Sequence, residues 1–130
     1  MTENELSYII IGAAIEVHRE LGPGLLEAIY EEALFIELTE EQGLRVERQK
    51  VLPVIYKDRV LEKSYRADLV VADKIIVEIK SVEEISKIFK KITGNYIRLQ
   101  NMKLGLIINF NEVLLKDGII RIVNGADDLK

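Results

Sequence analysis

Apolar residues in this chain recur with two different periods, and the polar breaks between the runs mark the elements. Tyr8, Ile11, Ile15 and His18 fall at helical spacing within residues 3–20 and predict a first helix. Gly22-Pro23-Gly24 ends it, and a second helix is expected from about Leu25 to Gln42, with Gly43 as its C-terminal cap. Leu44 to Tyr56 reads as a strand whose Pro53 points to an edge position or a bulge. Lys57-Asp58-Arg59 turns the chain into a second strand, Val60 to Val71. Ala72-Asp73-Lys74 turns it again into a third, Ile75 to Lys80. Residues 83–101 predict a third helix with Ile85, Ile88, Phe89, Ile92, Tyr96 and Leu99 on its apolar face, weakened by Gly94. Leu104 to Phe110 is an almost wholly apolar strand, and Ile119 to Val123 a last one after the Lys116-Asp117-Gly118 turn. The order is ααβββαββ. A helix between the third and fourth strands permits a parallel pairing there, so the expected fold is α/β, a mixed sheet flanked by helices.

Composition narrows the chemistry. The chain has 130 residues and reads as one domain over 1–125, with 126–130 as a frayed tail. Without cysteine it has no disulfide framework, thiolate metal site or thiol nucleophile, and it suits a reducing compartment such as the cytoplasm. The N-terminus carries acids where a signal peptide would carry bases, and no stretch is long enough to span a membrane. The net charge of −4 is unevenly spread. Residues 1–42 hold ten acids and one base, residues 43–66 seven bases and three acids, and residues 80–103 six bases and two acids. The protein is not a basic coat for nucleic acid, but it can present a local basic face to a phosphodiester.

The candidate chemistry lies in RADLVVADKIIVEIK. With a three-residue turn at 72–74, opposed residues have numbers summing to 146, so Asp68 comes opposite Glu78 with Cβ atoms about 5 Å apart. Lys80 shares the face of Glu78, while Ile75, Val77 and Ile79 take the other. Facing carboxylates repel unless a cation lies between them, so the register predicts an oxygen-ligand site for Mg²⁺ or Mn²⁺ beside an ammonium, suited to phosphodiester hydrolysis. A two-residue turn would instead point Asp68 away from Glu78. The plainer alternative pairs Glu78 with Lys80, Lys63 or Arg66 at a sheet edge.

Other candidates carry structural readings beside the functional one. Glu27 opens the second helix, with Tyr30 and Glu31 on its face; an acid in a first turn is also stabilised by the helix dipole. Lys87, Lys90, Lys91 and Arg98 share an arc of the third helix that is either a solvated face or a substrate surface. His18 is the only histidine, which excludes a multi-histidine metal site and reads as a partly buried, hydrogen-bonded side chain. Phe89 and Tyr96 read most simply as core. No serine sits in a nucleophile elbow, and LGPGLLE is a helix connector rather than a phosphate loop.

Gly24-Leu25-Leu26-Glu27-Ala28-Ile29-Tyr30 resembles the motif that names the GxxExxY family, within the PD-(D/E)xK nuclease superfamily. EVHRELGPGLLEAIYEEAL, YRADLVV, VEIKSVE and LGLIINF follow that family's order over nearly the whole chain. The resemblance implies a restriction-endonuclease-like core and assigns roles by position. Asp68 and Glu78 match the metal-binding acids, joined by the backbone carbonyl of Ile79. Lys80 matches the lysine that orients the attacking water, and Glu27 the first-helix acid. Lys87, Lys91, Arg98 and Tyr30 become candidates for substrate binding, with DNA ahead of RNA as the partner. The family's third helix usually carries a His and a Gln before Asn-Tyr-Leu; here Phe89 and Ile92 stand in the aligned places and Asn95-Tyr96-Ile97 follows.

Three functions compete on these residues. One is a metal-dependent nuclease, helped by a second copy or a partner protein in gripping its substrate. Another is a nuclease fold that binds or assembles without cutting, which the apolar Phe89 and Ile92 favour. The last is a structural α/β domain whose acidic helices dock on a basic partner.

Overall fold

The computed structural model describes residues 1–125; the tail expected at 126–130 lies outside the described residues. Helices α1 (Glu3–Leu21) and α2 (Glu27–Ile36) open the chain. A capping box starts α1: Thr2 Oγ1 accepts from the Glu5 N–H, and Glu5 returns a carboxylate oxygen to the Thr2 N–H, both at 3.1 Å. α2 runs on into a π-helical turn, Glu37–Glu41, and stops at Gly43, whose φ of 67° suits glycine.

Strands β1 (Val46–Leu52), β4 (Tyr65–Val71), β5 (Ile75–Lys80), β6 (Leu104–Asn109) and β7 (Ile119–Val123) form one sheet in the order β1-β4-β5-β6-β7. β2 (Ile55–Tyr56) and β3 (Arg59–Val60) make a separate small hairpin between β1 and β4. The long strand expected from Leu44 to Tyr56 therefore ends before Pro53, on the edge strand. The strand expected from Val60 begins only at Tyr65. β5 and β6, joined by α3 (Lys87–Leu99), pair in parallel and every other neighbour is antiparallel, as the mixed-sheet reading requires. The β4–β5 turn lies at 72–74, and Leu69↔Val77, Val70↔Ile76 and Val71↔Ile75 keep the sum of 146. Ala72 and Asp73 both take positive φ, and the Lys74 N–H closes the turn on the Val71 carbonyl at 2.9 Å.

The sheet has a core on each face. Leu6, Ile10, Ala13, Ala14 and Val17 of α1, with Tyr30 and Leu34 of α2, cover Leu69, Val71, Ile75, Val77, Ile79, Leu106 and Ile108. α3 covers the other face through Ile97, over Leu52, Ala67, Val70 and Ile76. Two helix faces differ from expectation. Tyr8 is 81% exposed and Ile15 is exposed too, because α1 turns Leu6, Ile10, Ala13, Ala14 and Val17 to the core. Ile88, Ile92 and Leu99 of α3 are likewise exposed, while Thr93 and Ile97 are buried. Gly105 makes that docking possible: a Cβ there would stand 3.0 Å from Ile97 Cγ2. His18 is half-buried, its Nε2 at 2.8 Å from the Glu112 carbonyl.

Candidate functional site

Strand β4, which carries Asp68, and its neighbour β1 change phase at one level of the sheet. Along β4, Ala67 joins the core under α3 while Leu69 and Val71 join the core under α1 and α2, although the three share one parity. β1 does the same: Val46 packs on the first core and Leu52 on the second. The crossing falls at Asp68 and at Gln49, whose φ is 49°. Arg48↔Leu69 and Lys50↔Ala67 pair on either side, but Gln49 and Asp68 do not. Strict alternation, on which the one-face reading of Asp68 rests, fails there.

The break frees Asp68 for the β5 side. Its Oδ2 accepts the Ile79 N–H at 2.8 Å, where the regular ladder has already stopped at Leu69↔Val77. In a strand, the N–H and C=O of one residue point to the same edge, so the Ile79 carbonyl faces the Asp68 side as well. The Lys80 carbonyl points the other way and accepts from Phe110 N–H at 2.9 Å. Ile79 itself is buried in the α1/α2 core, as expected for its face.

Glu78 lies on the α3 side of β5 and is only 4% exposed. Burial, then the nearby charge of Asp68, pushes its carboxyl up to about 8. The Tyr65 hydroxyl, which donates to Glu78 Oε1, and the Lys80 charge pull in the opposite direction and do not offset the rise. Tyr65 stacks on Tyr96 of α3 with ring centres 3.7 Å apart, and its own hydroxyl is held protonated by burial and by the acids beside it.

Lys80 reaches over α3, with Nζ 4.0 Å from the centre of the Phe89 ring. Among the described residues no carboxylate comes within 4.0 Å of it. Phe89 and Lys80 line a cleft of about 160 Å³ with Val82, Glu84, Ile85 and Ser86. Beyond Lys80 the chain is pinned from both sides. Glu27, exposed at the start of α2, accepts the Ser81 N–H at 3.3 Å, and the Ser81 hydroxyl donates to the Leu25 carbonyl at 2.6 Å. Buried Asn109 bonds both the N–H (3.1 Å) and the carbonyl (2.9 Å) of Val82.

The fold thus gathers Asp68, Glu78, the Ile79 backbone and Lys80 at the β4–β5 break, with Glu27 one residue past Lys80. Lys87, Lys91 and Arg98 are exposed along α3. Tyr30 does not belong with them. It is fully buried and stacks on Phe110 at 4.5 Å. Its hydroxyl donates to the Gly22 carbonyl (2.5 Å) and accepts from Leu25 N–H (3.0 Å), so it shapes the α1–α2 loop and offers no surface to a substrate. Ile92 is exposed, not core. Sequence reasoning missed Tyr65, Gln49 and Glu31. Tyr65 opens β4, past the hairpin and linker that interrupt the predicted strand, and neither a glutamine nor an acid on a helix signals a role by type.

As a donor set, two carboxylates and a carbonyl on one short stretch of sheet fit a hard divalent ion, and a Glu78 whose ionisation is opposed by burial and by Asp68 would be favoured in its charged form by such an ion. Among the described residues no three acids or histidines cluster as a ready-made cage, so any such ion would rely on the backbone and solvent as well. No helix of the described residues is long and apolar enough to cross a membrane.

Over residues 4–122 the chain matches the family profile described as the PD-(D/E)XK nuclease superfamily. No curated protein and no solved structure matches it.

Proposed function

The chain belongs to the PD-(D/E)XK nuclease superfamily, whose nucleases typically depend on divalent metals, and on that premise we propose that it is a Mg²⁺- or Mn²⁺-dependent nuclease of the GxxExxY group acting on DNA in preference to RNA. The observation that carries the reading is the placing of Asp68 and the buried Glu78 at one break in the sheet, with Lys80 two residues on. Asp68, Glu78 and the Ile79 carbonyl would hold the ion. When bound, the ion supplies Lewis-acid polarisation of the scissile phosphodiester. Lys80 orients the attacking water and offsets charge developing on the phosphate, while Glu27 fixes the backbone just beyond it through Ser81. Lys87, Lys91 and Arg98 meet the substrate backbone as phosphate contacts without reading sequence. Residues 1–125 act as one domain, and a second copy or a partner protein extends the grip of so small a chain on its substrate.

A nuclease fold that binds without cutting is the rival, and the seat of Lys80 over Phe89, with no carboxylate of the described residues within 4.0 Å, favours it. Mn²⁺ titration calorimetry on the wild type and on Asp68→Ala, followed by incubation with duplex DNA and with RNA, separates the two. Saturable binding lost in the variant, with metal-dependent cleavage, supports the nuclease. Binding of nucleic acid without metal uptake or cleavage supports the rival.

A further inference from the structure

We propose that Gln49 is a positioning residue for the acidic pair: its side-chain amide, anchored on Glu31, sets the Asp68 carboxylate. The metal role of that carboxylate rests on the proposed function; the positioning itself does not. Gln49 Nε2 lies 2.5 Å from Glu31 Oε1 and 3.2 Å from Asp68 Oδ1. Only the amide nitrogen can face two carboxylate oxygens, since the amide oxygen has no proton to give either. Glu31 is a fixed anchor. It is 7% exposed, and Arg48 holds its other oxygen through Nη2 (3.1 Å) and Nε (3.3 Å). Arg48 in turn lies over the Phe35 ring. Asp68 is thereby gripped on both oxygens, by β1 through Gln49 and by β5 through the Ile79 N–H.

The backbone tells the same story. Gln49 sits at φ 49°, a conformation that favours glycine, at the one level where β1 and β4 stop pairing. A glycine would take that φ without strain but would carry no amide. The side chain accounts for a residue that the backbone alone does not call for.

Gln49→Gly relieves the strain and removes the amide, so the two roles separate. The expected result is a melting temperature that does not fall, exchange of the Ile79 amide hydrogen at least about tenfold faster relative to Val77, and Mn²⁺ affinity weaker by about tenfold, the range of lost outer-shell partners. Gln49→Met, which keeps the length and the strained φ without a donor, is expected to do the same to Ile79 and to Mn²⁺, and is read instead should the glycine variant fail to fold. Unchanged Ile79 exchange in the folded variants overturns the assignment. If the wild type takes up no Mn²⁺, the metal reading falls, and Ile79 exchange still decides the role of Gln49.

Discussion

The Lys80 ammonium sits 4.0 Å from the centre of the Phe89 ring, so the lysine proposed for the chemistry is held by an aromatic face from the next helix. The ring comes from α3, so the seat of the lysine depends on how that helix packs. A double-mutant cycle on Lys80→Met and Phe89→Leu, read by urea unfolding, is expected to give a coupling of about 1 kcal/mol. Coupling near zero would mean that the lysine moves freely past the ring.

Asp68→Ala and Glu78→Ala are each expected to abolish Mn²⁺ uptake, whereas Lys80→Ala keeps it and loses turnover. Calorimetry and a cleavage assay on the same three proteins check the division. Full Mn²⁺ binding by Glu78→Ala would remove the buried acid from the site.

The raised Glu78 carboxyl makes two pH dependences. In the metal-free protein the folded state holds a proton that the unfolded chain, with the ordinary value of 4.5, releases earlier. Stability therefore falls as pH rises from about 4.5 to about 8, by up to about 1.4 kcal/mol per unit, and levels off above that. Metal uptake needs the ionised acid, so Mn²⁺ affinity should climb about tenfold per pH unit below 8 and flatten beyond it. Urea melts of wild type and Glu78→Gln across this range test the first, since the amide should flatten the slope. Calorimetry at several pH values tests the second.

Tyr65 donates to the Glu78 carboxylate and thereby favours its charged form. Tyr65→Phe should raise the Glu78 pKa above its value of about 8, followed by carboxyl-carbon NMR on the metal-free protein. A lowered pKa would show that water replaces the phenol more effectively than the phenol itself.

Gly118 has no room for a side chain: a Cβ there would stand 2.4 Å from the Asn109 carbonyl oxygen and 2.9 Å from Glu112 Cγ. Gly118→Ala is expected to cost about 2 kcal/mol in urea unfolding. Because Asn109 also clamps Val82, the amide signals of the Ser81–Val82 segment should shift with it. A neutral substitution would show that the turn before β7 gives way easily.

Much of the fold follows from local signals in the chain. The turn at 72–74 fixed the β4–β5 register, and the helix between β5 and β6 their parallel pairing. Helix faces were less legible. In IIIGAAI nearly every position is apolar, so periodicity cannot tell which side meets the sheet; the buried side there is Ile10, Ala13 and Ala14. On α3 it is Thr93 and Ile97, not Ile88, Ile92 or Leu99, that meet the sheet. The acids and the lysine stood out by spacing, but not how they are held. Period-two alternation has no notation for a strand that changes face midway; the amide that exploits the change at Asp68 comes from β1, 19 positions away, and its anchor Glu31 from α2, 37 positions away. Tyr30 misled for the reverse reason, since a motif tyrosine beside a candidate acid looks the same whether its hydroxyl meets a substrate or a loop.

The acid-rich α1–α2 layer covers one face of the sheet and the lysine-bearing α3 covers the other, with the β4–β5 break between them. Such a molecule is an electric dipole across its thickness. A polyanion coming from any direction exerts a torque that turns the α3 face toward it before contact, so the protein would arrive already oriented, and the benefit to the encounter rate would fade as ionic strength shortens the reach of the field.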